Sequence, residues 1–186
     1  MKIGVIAEDN NDVDVLYEIT CKLTKENSFS FKKFVGHGSG MLRRKCTAWA
    51  KNLLLRGCTH LVVLHDLDEN NENELRKKLN DCVKNIKFKG YVILIPVKEL
   101  EAWLLTDSKS LKDVFHMARL PKLPNNPEAV RRPKEKLKEI IWKYTSQYYF
   151  NTIHNRKIAA SCRISKLKMC KSFRPYPVFI SYHLSR

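Results

Sequence analysis

At 186 residues and 44% hydrophobic composition, the chain can bury one domain-sized core with room for an appended subdomain. No apolar run approaches the roughly 20 residues that cross a bilayer, and the opening MKIGVIAEDNN has too short an apolar stretch for a signal peptide, so a cytoplasmic protein with no membrane partner is expected. Of the 35 basic and 19 acidic residues behind the net charge of +16, residues 1–107 hold 17 and 15, whereas residues 108–186 hold 18 and 4.

In chain order, KIGVIA at 2 to 7 reads as a buried parallel strand, and Val15, Leu16, Ile19 and Leu23 recur at helical spacing behind a cap at Asn10, Asn11 or Asp12. A weakly alternating FSFKKFV at 29 to 35 leads through Gly36, Gly38 and Gly40 into a helix over 41 to 55. The run HLVVLHDLD from His60 to Asp68 is the clearest strand, followed by a polar helix from about Glu72 to Asn85 and a fourth strand at 91 to 95. Strands alternating with helices predict βαβ units and a mainly parallel four-stranded sheet covered by helices. Beyond Pro96, VKELEAWLLTD carries helical spacing, and PKLPNNP at 121 to 127 reads as a linker or long surface loop. Two helical stretches, 128 to 149 and 155 to 169, follow, and Pro175 and Pro177 are expected to interrupt a final helix. The expected division is a sheet domain over 1–107 and a basic, mostly helical extension over 108–186.

The basic segment calls for a polyanionic partner. Trp142, Tyr144, Tyr148, Tyr149, Phe150, Phe173 and Tyr176 interleave with its charge and favour nucleic acid over an acidic membrane; a solvated face with core aromatics is the plainer alternative. The six cysteines form no C-x-x-C pair, which argues for small core residues and against zinc.

In a parallel sheet, functional groups gather at the carboxyl ends of strands. Glu8 follows the first strand, and Asp66 and Asp68 follow the third at a spacing that puts both carboxylates on one side of an extended chain. An all-oxygen set of this kind suits a hard ion such as Mg²⁺ or Mn²⁺. Asp9, Asn10, Asn11, Asp12 and Asp14 crowd the first loop, mostly as helix caps, although any could take a water or a second ion. His65, on the opposite side from Asp66 by alternation, is read as packing or as support for a ligand.

The segments AEDNND and HDLDENN resemble the Toprim domain shared by topoisomerases, bacterial primases and OLD-type nucleases, over about residues 1 to 105. That resemblance implies a Toprim-like three-layer α/β fold with Glu8, Asp66 and Asp68 as metal ligands. A closer resemblance is to the DUF4276 family, carried by IGVIAE, GHGSG, LVVLHDLD, IPVKELEAWLL and the basic SFR at 172 to 174. It implies further acids near the metal from E-x-E-A-W, namely Glu99 and Glu101, and an ATPase partner in bacterial anti-phage systems. Residues two apart on a helix do not share a face, so Glu101 is favoured, with Glu99 as either ligand or helix-start acid.

Among cations and hydrogen-bonding groups, His37 in the glycine-rich loop, Lys98, Lys157, Arg163 and Arg174 are candidate phosphate contacts, although for His37 a plain loop residue is the favoured reading. The expectation is a Mg²⁺- or Mn²⁺-dependent nuclease using Glu8, Asp66, Asp68 and Glu101, with DNA and RNA undistinguished. The alternatives are a toxin-like RNase of the same fold and a non-catalytic nucleic-acid or ATPase-binding module with a structural metal. Topoisomerase and primase activities are disfavoured for want of the extra modules, and the oligomeric state stays open, a dimer included.

Overall fold

A computed structural model describes residues 1–24, 28–36 and 38–184. Four strands, β1 (Lys2–Ala7), β2 (Ser30–Val35), β3 (His60–Leu64) and β4 (Gly90–Leu94), form one sheet in the order β2-β1-β3-β4, all parallel. The two central strands are covered on both faces, which is why they read as unbroken apolar runs rather than as alternation.

Ile6, Leu61, Val63 and Ile93 point to one face. There they meet α2 (Ser39–Leu55) through Leu42, Cys46, Ala50 and Leu53, and α3 (Glu72–Val83) through Leu75, Leu79 and Val83. Ile3, Val5, Val62, Leu64 and Leu94 point to the other face, against Val15, Leu16 and Ile19 of α1 (Asn10–Leu23). The same core continues into α4 (Glu101–Leu104), α5 (Ser108–Phe115), α6 (Pro133–Thr145), α7 (Asn151–Ser161), α8 (Ile164–Leu167) and α9 (Pro175–Leu184). Residues beyond 108 therefore share the hydrophobic core of this sheet face. Trp103 is fully buried within it, its Nε1 donating to Ser172 Oγ at 2.8 Å, so truncation to Ala costs about 3–5 kcal/mol. No helix among the described residues is long and apolar enough to cross a membrane.

Several local expectations are corrected. The cap of α1 is Asp9, which forms a reciprocal capping box with Asp12, rather than Asn10, Asn11 or Asp12 itself. Strand β3 ends at Leu64, short of the D-x-D pair. The N–H groups of His65 and Leu67 still donate to Leu94 O and Pro96 O, but Pro96 has no N–H to return, and Asp68 turns away at φ 48°. The helix expected over 97 to 107 shrinks to Glu101–Leu104 because Lys98 takes φ 65°, which a right-handed helix excludes. The stretch expected as one helix over 128 to 149 is α6 alone, opened by Pro133 at its first turn and closed by Ser146 at φ 55°. The next starts earlier than expected, at Asn151, and divides into α7 and α8 at Cys162, which is extended. Pro175 and Pro177 open α9 instead of interrupting it, since N–H groups of a first turn have no helical acceptor to lose.

Candidate active site

β1 passes through α1 to β2 on one side of the sheet order, while β3 passes through α3 to β4 on the other. The chain thus parts between the carboxyl ends of β1 and β3, the position where open parallel sheets offer a crevice. Glu8 and Asp66 stand there. One Glu8 oxygen accepts the Asp66 N–H at 3.0 Å and lies 3.1 Å from Nδ1 of the fully buried His65. His65 thus supports Glu8, one of its two expected roles.

Asp66 is held by the loop after β3 running alongside the loop after β4, through Leu67 N to Pro96 O at 2.9 Å and Asp68 N to Lys98 O at 3.2 Å. Its carboxyl keeps some solvent contact as a residue yet is enclosed by protein, and burial pushes its pKa well up, reinforced by the charges of Asp12, Glu101, Glu8 and Asp68. Asp12, in the first turn of α1, is buried and displaced in the same direction by burial and then by Asp9, with Glu101 and Glu8 contributing. Glu8 is pushed up to about 7, by burial first and by Asp68 and Asp9 next, against the Asp66 N–H and Arg43, which favour its charge. Asp68 is exposed at the rim.

Glu101 enters from the start of α4 and is 6% exposed. Its Oε1 accepts from Asn155 Nδ2 at 3.0 Å, and the Tyr149 hydroxyl lies 3.4 Å away. Burial, followed by the neighbouring Glu101 charge, raises the Tyr149 pKa, so its hydroxyl stays protonated and available as a donor, in contact with Asn155 as well. Burial likewise raises Glu101, against the hydrogen bond from Asn155.

Burial thus raises the proton affinity of Glu8, Asp12, Asp66 and Glu101, and the charges of Glu8 and Glu101 add to the rise at Asp12 and Asp66. Such an arrangement is costly when ionised unless a cation neutralises it, and its donors are all hard oxygens. A divalent ion of the Mg²⁺ type fits this chemistry. Among the described residues, no three His, Cys, Asp or Glu side chains converge as a group that could hold a metal ion.

A family model described as "Domain of unknown function (DUF4276)" matches residues 16–176. The chain belongs to the DUF4276 family. The matched span of this DUF4276 protein contains Asp66, Asp68, Glu101, Tyr149 and Asn155, while Glu8 and Asp12 lie just before it. Searches of curated proteins and of solved structures found no match.

The remaining expected site residues distribute unevenly. Glu99 is half-buried and accepts the Lys134 N–H at 2.8 Å, so it caps the first turn of α6, a helix other than the one whose start it was expected to occupy. Lys98 lies at the rim, with Nζ donating to Asp68 O at 3.0 Å and Glu69 Oε1 at 2.9 Å. Arg163 has Nε and Nη2 on the two oxygens of buried Asp107, at 2.9 and 2.7 Å, so its fork is committed to holding α5 to the start of α8 instead of standing open for phosphate. Arg174 is exposed with Nε on Lys168 O at 2.9 Å, and Lys157 is exposed on α7. His37 lies outside the described residues.

Sequence reasoning missed Tyr149 and Asn155 as supports of Glu101, and Arg43 and Lys134 as the cations whose charges reach Glu8 and Glu101. A signal did exist for Asp12: the D-x-x-D box of Asp9 and Asp12 puts the latter on the first helical turn facing back along β1.

Proposed function

We propose that this DUF4276 protein is a metal-dependent phosphodiesterase acting on nucleic acid, with Glu8, Asp12, Asp66, Asp68 and Glu101 as its acidic centre. The supporting observation is the rise in proton affinity of four buried carboxylates, with Glu8 and Glu101 adding to it at Asp12 and Asp66, where the chain parts between β1 and β3. An unneutralised cluster of this kind only subtracts from stability, and a cation turns it to use. The all-parallel order with an acid after β1 and D-x-D after β3 agrees with the Toprim resemblance, and Mg²⁺ or Mn²⁺ is the ion of choice.

When bound, such an ion supplies Lewis-acid polarisation of the phosphate and a water nucleophile at neutral pH. The chain's own groups divide the other tasks. One Glu8 oxygen is fixed by the Asp66 N–H and by His65, which keeps it preorganised. Tyr149 and Asn155 orient Glu101 from the helical side. Asp68, exposed at the rim, stands where a proton can be exchanged with solvent, and Lys98, Arg43 and Lys134 offset the charge of an incoming phosphate. Lys157 and Arg174 offer backbone contacts farther out. Cys46, Cys162 and Cys170 take no part, since burial raises them to about 12 and leaves them as thiols.

The test is incubation of the full chain with labelled DNA and RNA in Mg²⁺, Mn²⁺ or EDTA, beside Asp66→Asn. Metal-dependent cleavage that disappears in the folded variant supports the reading. Absence of cleavage of either polymer, alone and with an ATPase encoded alongside, overturns it in favour of a non-catalytic binding module.

A further inference from the structure

Residues 147–150 run without helix between α6 and α7, and successive side chains alternate in direction. Tyr149 turns inward to Glu101 and is 5% exposed. Its neighbours Tyr148 and Phe150 turn outward at 71% and 54% exposure, joined by Trp142 of α6 at 50%. The Trp142 and Tyr148 rings are 5.1 Å apart and inclined by 39°, with Phe150 6.4 Å beyond Tyr148. Exposed aromatics normally stand singly; three together need a reason.

These rings form the wall of an open cavity of about 720 Å³ that also takes in Lys134, Lys138, Glu135, Glu139 and Tyr149. The volume is within the roughly 300–1,000 Å³ range of small-ligand sites. Two of its walls reach towards the acidic centre: Tyr149 contacts Glu101, and the charge of Lys134 acts on Glu101. The two lysines and two glutamates of the wall balance, and the excess charge that suits phosphate lies along the helix that carries them, residues 131–143 holding six basic and two acidic side chains. Both acids are occupied by lysines of the same helix, Glu135 by Lys138 at 2.8 Å and Glu139 by Lys136 at 2.9 Å. Exposed pairs of this kind are weak, so the lysines can transfer to phosphate at little cost.

We infer that the Trp142, Tyr148 and Phe150 shelf is a stacking site for unpaired nucleobases, which makes single-stranded nucleic acid the ligand that this face receives. Aromatic planes beside cations capture unstacked bases and track their backbone, whereas a duplex keeps its bases stacked inside and presents no face to the rings. The inference rests on the nuclease reading for what happens next: a strand seated on the shelf passes Lys134 and Tyr149 towards Glu101. The shelf binds its ligand without any ion.

The experiment is a fluorescence titration of the full chain in EDTA with oligothymidylate, oligouridylate and a duplex of equal length. Trp103 is fully buried and Trp49 is stacked on Phe34 at 5.6 Å, so quenching on binding reports Trp142. Single strands of either sugar are expected to quench strongly. With binding to the variants followed by anisotropy of end-labelled oligonucleotides, since a Trp142 variant lacks the reporter, Trp142→Ala and Tyr148→Ala are each expected to weaken single-strand binding by about tenfold. Duplex binding should change little, and Trp142→Phe should recover most of the loss. Circular dichroism checks folding, and if Trp142→Ala fails that check the more exposed Tyr148→Ala decides. Equal losses for duplex and single strands, or no loss, overturns the inference. Because the titration contains no metal, it is independent of the cleavage assay in Mg²⁺ or Mn²⁺: intact stacking with no cleavage in that assay would refute the nuclease reading alone, and cleavage there without a stacking effect would refute the shelf alone.

Discussion

Replacing Glu8 by Gln should stabilise the protein in metal-free buffer while removing an acid that the proposed chemistry needs. The rise of the Glu8 pKa from 4.5 to about 7 corresponds to about 3 kcal/mol at 1.36 kcal/mol per unit. The Glu8 side chain is 18% exposed, and Gln gives up a charge-assisted bond from the Asp66 N–H, so the net gain falls to about 1–2 kcal/mol. For a chain of this length that is a shift in Tm of about 5 °C. The sign follows from proton counting. Between pH 4.5 and 7 the folded state holds a proton that the unfolded state has released, so stability falls as pH rises through that window. The penalty is absent below it and complete above it, and Gln escapes it. Thermal unfolding in EDTA is therefore expected to favour Glu8→Gln at pH 8 and to show little difference at pH 4. Mg²⁺ at pH 8 should narrow the gap by stabilising the parent protein. A variant less stable than the parent at pH 8 in EDTA would refute the reasoning, because burial and repulsion would then not be acting on this carboxylate.

Three further outcomes are expected. Burial opposes ionisation of Asp107, but the bonds and charge of Arg163 outweigh it and hold its pKa down to about 2, so its contribution is present above pH 3.8 and lost as pH falls through 2. With Arg163 52% exposed the pair is partly screened, and Asp107→Asn should cost about 1–2 kcal/mol in urea unfolding at pH 7, with the difference shrinking near pH 2. Glu99→Ala, which removes a cap of α6, should lower stability by about 1 kcal/mol and leave turnover nearly intact, whereas Glu101→Gln should abolish metal-dependent cleavage with stability kept or raised; the reverse pattern would exchange their roles. If about six phosphates are neutralised, single-strand affinity should fall by roughly 300-fold between 50 and 200 mM salt, a slope measurable by the same titration and inconsistent with a flat response.

The sheet was legible because β1 and β3 are buried on both faces and must be apolar throughout, so their carboxyl ends, and with them Glu8, Asp66 and Asp68, could be read directly. The first turn of α1 was legible only as a set of cap-forming residues, since the choice of Asp9 depends on backbone angles that composition leaves open. The burial of the acids was not legible at all. Asp12, Asp66 and Glu101 stand far apart in sequence, and only packing brings their charges within reach of one another and of Tyr149 and Asn155 from the helical half. Arg163 shows the same limit from the other side: its charge suggested phosphate, but α8 sets it against buried Asp107, whose paired geometry claims the fork first. Local periodicity is set by neighbours three or four residues away, so sequence alone determined the α/β class, the first and third strands and the D-x-D position. Which cations meet carboxylates, which acids lose water and which aromatics remain outside depend on contacts across the chain, and those only the tertiary structure decided.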